Sequence, residues 1–241
     1  MNIENQNVIP VPAKNAYTKF FKRFFDVLLS FLAILFLLTV FLIVIILEIF
    51  IHGFPVFYKT KRPGKNGKIF KLYKFRSMTN KKGEDGLLLP EKERLTKFGL
   101  FLRKTSIDEL PELFNILKGD MSIIGPRPLV VEYLDMYNDR HKMRHCVRPG
   151  LACVRIMASS SKTWTWGEQF ENDIYYIENL SFRTDIKMFF AIICEVFKGS
   201  EYRGNDTRIP FNGTNLDDVR TKEEALGDSQ VHFKSLEDSS K

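Results

Sequence analysis

Cysteine is scarce in this 241-residue chain. Only Cys146, Cys153 and Cys194 occur, with no CxxC spacing and an odd count. That argues against a disulfide framework or a cysteine zinc site and fits a reducing, cytosolic setting. The four histidines are too widely scattered to suggest a metal-ligand motif. No internal repeat occurs, so the length reads as one good-sized domain plus an appendage. Asn205 and Asn212 each begin a glycosylation sequon, which carries no meaning in a cytosolic chain. No recognised nucleic-acid-binding motif is present, which leaves net charge as the sole argument for that partner.

Proline is missing where it would matter most. From Val27 to Leu47 the sequence reads VLLSFLAILFLLTVFLIVIIL, with no charge, no proline and only Ser30 and Thr39 as polar breaks. As a helix this run spans about 30 Å, one hydrocarbon thickness. A core helix rarely stays apolar on every face for so long. The run is also too long for a signal-peptide h-region and starts late. Both flanks are basic: Lys14, Lys19, Lys22 and Arg23 before it, and Lys59, Lys61, Arg62, Lys65, Lys68, Lys71 and Lys74 after it. The positive-inside rule places both flanks in the cytoplasm, which favours a re-entrant helix. The absent proline favours a spanning one, because sharp bends have identifiable causes. Ser30 or Thr39 could bend the helix only weakly, by bonding back to a carbonyl. Topology therefore stays open between the two.

What is plentiful is basic charge. The chain carries 36 Lys+Arg against 29 Asp+Glu, net +7. Such an excess suits a polyanionic partner such as nucleic acid, an anionic membrane or a phosphorylated substrate, and it equally suits a plain solvated surface. After the apolar run the pattern predicts an α-rich α/β domain with a small β-hairpin. Val56–Tyr58 and Ile69–Tyr73 flank the turn at 63–67. Helical spacing follows at Leu95–Arg103, at Glu112–Leu117 as far as Gly119, at Val130–Tyr137 and at Asp185–Phe197. The apolar side of the last (Ile186, Phe189, Phe190, Ile193, Val196, Phe197) reads as core packing. A helix lying on a membrane face is the sharper alternative. The division is 1–21 N-terminal segment, 22–52 membrane helix, 53–200 catalytic domain and 201–241 polar, mobile tail.

The chemistry-bearing stretch is Leu102–Pro128, LRKTSIDELPELFNILKGDMSIIGPRP. Ser106-Ile-Asp-Glu109 has capping-box spacing, so a helix is expected to start there. Asp108 and Glu109 would then lie in a positive field near Arg103 and Lys104. That keeps them ionised, as a nucleophile or metal ligand requires. Adjacent acids in a first turn also serve the helix dipole alone. Gly125-Pro-Arg-Pro128 presents Arg127, and the stretch from Arg144 to Gly150 presents Arg144 and Arg148. Guanidinium groups suit phosphates, though each arginine alone is as readily an ion-pair partner. Acids and stiffly held arginines after a membrane anchor are the parts of a phosphoryl-transfer site.

From about Lys22 to Lys198 the chain resembles the bacterial sugar transferases, and within them the small monotopic phosphoglycosyl transferases of the PglC type. The resemblance rests on KRFFD, KRPGKNGKIFKLYKFRSM, LTKFGLFLRKTSIDELPELFNILKGDMSIIGPRP, RHCVRPG and FENDIYYIENLSF. It implies a membrane-bound enzyme at the cytoplasmic face of the bacterial inner membrane. Asp108 would attack the β-phosphate of a UDP-sugar and release UMP, and undecaprenyl phosphate would then take the phospho-sugar. Glu109 would hold Mg²⁺, while Arg127, Arg76, Arg144, Arg148, Lys59 and Arg62 would contact substrate phosphates. Downstream glycosyltransferases are the implied partners, and nucleic acid is not. Three departures stand out. The family's proline has no counterpart near Leu38-Thr39. The loop Leu151–Trp164 diverges, and an arginine expected near Ser160 is missing, with Arg155 or Lys162 as displaced substitutes. The spacing to Trp166 is one residue longer. The divergence raises a second possibility, a silent relative that scaffolds glycan assembly.

Overall fold

The structure is a computed structural model describing residues 8–153, 165–197 and 208–218. The long apolar run folds as two helices. A π turn, Tyr17–Phe21, leads into α1 (Lys22–Phe36), and α2 (Leu38–His52) follows a break at Leu37. The two arms meet at a 63° bend. Among the described residues no single helix is long and apolar enough to cross a membrane, although the bent pair passes that test together.

No proline makes this bend, so the argument from its absence to a straight helix fails. Ser30 Oγ does bond back to Asp26 O at 2.6 Å, but the chain breaks later, at Leu37. Tertiary anchors on both arms supply the cause. On α1, Arg23 donates to the carbonyls of Ile116 and Leu117 at 2.6 and 2.8 Å. Asp26 accepts from Ser122 Oγ and Ile123 N at 2.9 and 3.0 Å. Lys22 reaches Asp185 at 2.6 Å. On α2, Phe41 packs its ring against Phe75 and Phe114. Glu48 pairs with His52 at 2.9 Å, and His52 meets Thr96 Oγ1 at 3.0 Å. Buried polar groups require such partners. A straight helix could not satisfy both sets at once.

The expected hairpin forms. Strands β1 (Phe57–Pro63) and β2 (Ile69–Phe75) pair antiparallel from Phe57↔Phe75 to Pro63↔Ile69. Phe70 and Leu72 point inward while Ile69 and Lys71 stay exposed, the alternation of a one-sided sheet. A short turn α3 (Glu91–Arg94) precedes α4 (Lys97–Thr105), which Thr96 caps by accepting from Gly99 N at 2.9 Å. Gly99 allows close approach: a Cβ there would stand 1.8 Å from Ser77 O. Helix α5 (Glu112–Lys118) stops at Gly119, whose φ of 99° lies in the left-handed region. Phe41, Val44, Phe70, Leu72, Phe75, Leu102, Leu113 and Ile116 close the main core between α2, the hairpin, α4 and α5.

Strand β3 (Ser122–Ile124) pairs in parallel with β4 (Gly150–Ala152), a contact the sequence reading did not anticipate. Between them lie a 3₁₀ segment, Val131–Met136, and α6 (Asp139–Lys142). Gly125 and Gly150 touch, and a Cβ on Gly150 would fall 2.1 Å from Gly125 N. Only glycines let the Gly125–Pro128 turn lie against the Arg148–Gly150 turn. Helices α7 (Trp166–Glu178) and α8 (Phe182–Phe197) complete the domain.

On α8 the core-packing reading is corrected for the described side chains. Ile186, Phe189 and Phe190 are exposed, and the packed side is carried by Asp185 and Met188. Asp185 accepts from Tyr17, Lys22 and Tyr176, so a polar network seats this helix and turns the aromatics outward. Phe182 meets Tyr17 edge-on and Phe25 at a tilt, which joins the outward face of α8 to the start of α1. Ile193, Val196 and Phe197 lie outside the residues whose side chains are described.

Candidate active site

Glu109 and Glu112 are three residues apart at the turn into α5, so both carboxylates face one side. Asn115, one turn on and fully buried, fixes α5 to β2 by accepting from Tyr73 N at 3.0 Å and donating to Lys71 O at 2.7 Å. That registration brings Lys74 of β2 under both acids. Its Nζ lies 2.6 Å from Glu109 and 3.3 Å from Glu112. Arg127 approaches Glu109 at 3.5 Å. These groups line a cavity of about 240 Å³ together with Arg62, Leu129, Tyr133, Trp166, Arg208 and Pro210.

Asp108 does not line this cavity. It is 9% exposed, in the 3₁₀ turn Ile107–Glu109. Burial and the neighbouring Glu109 push its carboxyl up to about 6, against the weaker pull of Lys74 and Arg103. Glu112 is raised for the same leading reason, burial, despite Lys74. The surroundings thus raise Asp108 rather than lower it, because desolvation outweighs the nearby cations, and a carboxyl near 6 is still mostly ionised at pH 7. The capping box is corrected. Ser106 is the left-handed C-cap of α4 and makes no side-chain cap. A true capping box forms elsewhere, between Thr165 and Glu168 at the start of α7.

The arginines divide sharply. Arg62 lines the cavity, and its buried Nε has no hydrogen-bond partner. Burial and the adjacent Arg127 push its pKa down. Two guanidinium groups repelling each other across a cavity, one with an orphaned donor, describe a place for an anion. Arg144 is elsewhere, 2% exposed and bonded to Asp173 Oδ2 at 3.0 and 2.7 Å. It also donates to Arg127 O at 2.9 Å, so it holds the loop that presents Arg127. Arg148 donates to Gly119 O at 2.9 Å at the end of α5. Arg76 donates to the carbonyls of His52, Gly53 and Pro55 and ties off α2. Lys59 lies over the ring of Tyr73 at 5.7 Å. Of the expected phosphate contacts, only Arg62 and Arg127 line the cavity. Arg155, Ser160 and Lys162 lie outside the described residues.

Among the described residues no three His, Cys, Asp or Glu side chains converge as a metal cluster. Magnesium seldom needs one, being held through one or two carboxylates plus substrate phosphates. Glu109 and Glu112, already sharing one cation, are an oxygen-only pair of that kind.

Residues 17–199 match the family described as bacterial sugar transferase. The chain belongs to the bacterial sugar transferase family. It is 40% identical over 199 residues to the uncharacterized sugar transferase EpsL of Bacillus subtilis, covering 80% of this chain and 96% of that one. It is 35% identical to the exopolysaccharide production protein ExoY of Sinorhizobium fredii, over 71% of this chain and 83% of the relative. It is also 35% identical to the UDP-glucose:undecaprenyl-phosphate glucose-1-phosphate transferase of Klebsiella pneumoniae, over 77% of this chain but 41% of that longer protein. As a member of this family the protein is a transferase. Glu112, Lys74 and Arg208 were missed by sequence reasoning. The Glu109–Glu112 spacing was the one available signal; Lys74 and Arg208 had none.

Proposed function

We propose that this bacterial sugar transferase moves a sugar-1-phosphate from a UDP-sugar to undecaprenyl phosphate in two steps. The observation that carries the reading is the cavity beside Asp108, where carboxylates, Lys74 and the orphaned Arg62 meet. The Asp108 carboxylate turns into the cavity, and its oxygen bonds to the β-phosphorus. The bridging P–O bond breaks and UMP leaves with its electron pair. Undecaprenyl phosphate oxygen then attacks the same phosphorus and frees the carboxylate. Splitting the transfer in this way predicts ping-pong kinetics. Lys74, Arg62 and Arg127 neutralise the phosphate charge. Glu109 and Glu112 would hold Mg²⁺, which supplies further charge neutralisation when bound.

The bent helix pair is read as re-entrant, entering and leaving the cytoplasmic leaflet of the bacterial inner membrane. Exposed Phe24, Phe31, Phe36, Ile43, Ile46 and Phe50 support this, since soluble monomers rarely expose so large an apolar surface. The outward face of α8 extends it. A site beneath such a hairpin can meet a lipid phosphate and a soluble nucleotide, and the lipid-linked product would pass to downstream glycosyltransferases.

The test is UMP release from a panel of UDP-sugars with Mg²⁺ and detergent-solubilised protein. Release from at least one sugar, lost on chelation, is expected. Nucleotide binding with no release from any sugar would favour the scaffold reading instead. The pH profile is a separate prediction. Attack needs ionised Asp108, so kcat/KM should climb through about pH 6 and level off above it. A climb centred near pH 4 would mean that Asp108 is not desolvated in the working enzyme.

A further inference from the structure

The match to the family ends at residue 199, yet the cavity does not. Arg208 and Pro210 line it from a segment further along the chain, 208–218, that straps back over α7. The strap is firmly seated. Phe211 is 3% exposed, in a cluster with Leu129, Tyr137, Trp166 and Phe170. Trp166 Nε1 donates to Ile209 O at 2.9 Å, Gly167 N to Leu216 O at 2.8 Å, and Phe211 N to Tyr133 Oη at 3.1 Å. Within the stretch expected to be a polar, mobile tail, residues 208–218 are thus seated, with Phe211 as an apolar anchor.

Arg208 is held with unusual care. Its guanidinium lies 3.9 Å from the centre of the Trp166 ring. It donates to Gln169 Oε1 at 2.7 Å and to Thr165 O at 3.3 Å. A stacked, doubly bonded guanidinium is preorganised and loses little entropy on meeting a ligand. A cation beside the first turn of α7 is also opposed by the helix dipole, so helix stability alone is a poor reason for it. With Arg208 the cavity holds four cationic side chains (Arg62, Lys74, Arg127, Arg208) against two carboxylates (Glu109, Glu112).

We infer that the strap completes the substrate site, with Arg208 binding the nucleotide half of the donor, its α-phosphate and uracil oxygens. The inference rests on the transfer reading above. The groups beside Asp108 come from the hairpin and α5, whereas Arg208, Pro210 and Trp166 come from the α7 side. A donor that presents its β-phosphate to Asp108 therefore directs its remaining part to the α7 side. There a guanidinium and aromatic walls suit a nucleoside phosphate better than a neutral sugar.

The experiment measures UMP and UDP binding by calorimetry on the full-length solubilised protein, beside steady-state UMP release. Arg208→Met keeps an apolar stem against Trp166. It should weaken UMP and UDP binding by about tenfold or more, the worth of a charged hydrogen bond, and raise KM for the donor similarly with kcat little changed. Arg208→Lys should recover only part, because an ammonium cannot replace the planar fork. Phe211→Ala, which loosens the strap while leaving the cation, should reproduce the loss. Unchanged UMP affinity in a folded Arg208→Met protein overturns the inference, as does a change confined to the choice of sugar. If wild type binds UMP but releases none from any UDP-sugar, the transfer reading fails, and the binding comparison still decides the role of Arg208. If wild type binds neither nucleotide, both fall.

Discussion

Asp108→Asn should abolish UMP release, with a loss of at least about 10³-fold, the scale of deleting a nucleophile. An amide cannot form the acyl-phosphate bond, and the swap is nearly isosteric in a site only 9% exposed. The folded protein should not suffer. The Asp108 pKa is raised to about 6 from 3.8, so the folded state binds its proton more tightly than the unfolded chain does. Stability therefore falls as pH rises between about 4 and 6, and above that the buried charge is a standing cost. Asparagine removes the charge. At pH 7 the variant should melt at or above the wild-type temperature while being inactive, which separates chemistry from misfolding. Activity within tenfold of wild type would remove Asp108 from the centre of the mechanism.

The largest stability effect is expected at Arg144, which the sequence offered as a phosphate ligand. Its guanidinium is buried against Asp173, itself 1% exposed, and donates to Tyr137 Oη at 3.0 Å. The rings of Tyr137 and Phe170 lie 5.6 and 5.5 Å away. Arg144→Met leaves the Asp173 carboxylate buried without its guanidinium, with the weak Cys153 Sγ donor at 3.7 Å on its other oxygen, a loss of about 3–5 kcal/mol. It also removes the donor that holds Arg127 O, so the loop lining the cavity should loosen. Adding Asp173→Leu should recover much of the stability, because a buried pair replaced by apolar groups is often nearly neutral. Chemical denaturation in detergent measures both. A single-variant loss below about 1 kcal/mol would mean that the pair is not buried as described.

The apolar run, the hairpin, the stop at Gly119 and the acid-bearing block were legible in sequence because each is local. Periodicity, turn residues and a long motif carry that information without the rest of the chain. The bend at Leu37 was not legible, because its cause lies in residues 116–124, Phe75 and Thr96. The roles of the arginines were not legible either. A guanidinium reads the same whether it faces a cavity, as Arg62 does, or a buried carboxylate, as Arg144 does. Asp108 seemed well supplied with cations in sequence, but its desolvation appears only when the chain closes around it. Arg208 was hidden for the opposite reason: the charged residues around the strap masked the apolar anchors, Phe211 and Leu216, that bring it home.

The central claim is a covalent phospho-sugar on Asp108, and intact-protein mass spectrometry tests it most directly. The purified protein is incubated with a UDP-sugar that it turns over, with Mg²⁺ and no lipid acceptor. The account predicts a mass increase equal to one sugar-phosphate, mapped to the peptide containing Asp108, absent in Asp108→Asn and discharged by undecaprenyl phosphate. Full turnover when both substrates are present, with neither adduct nor UMP burst when the lipid is withheld, would contradict it.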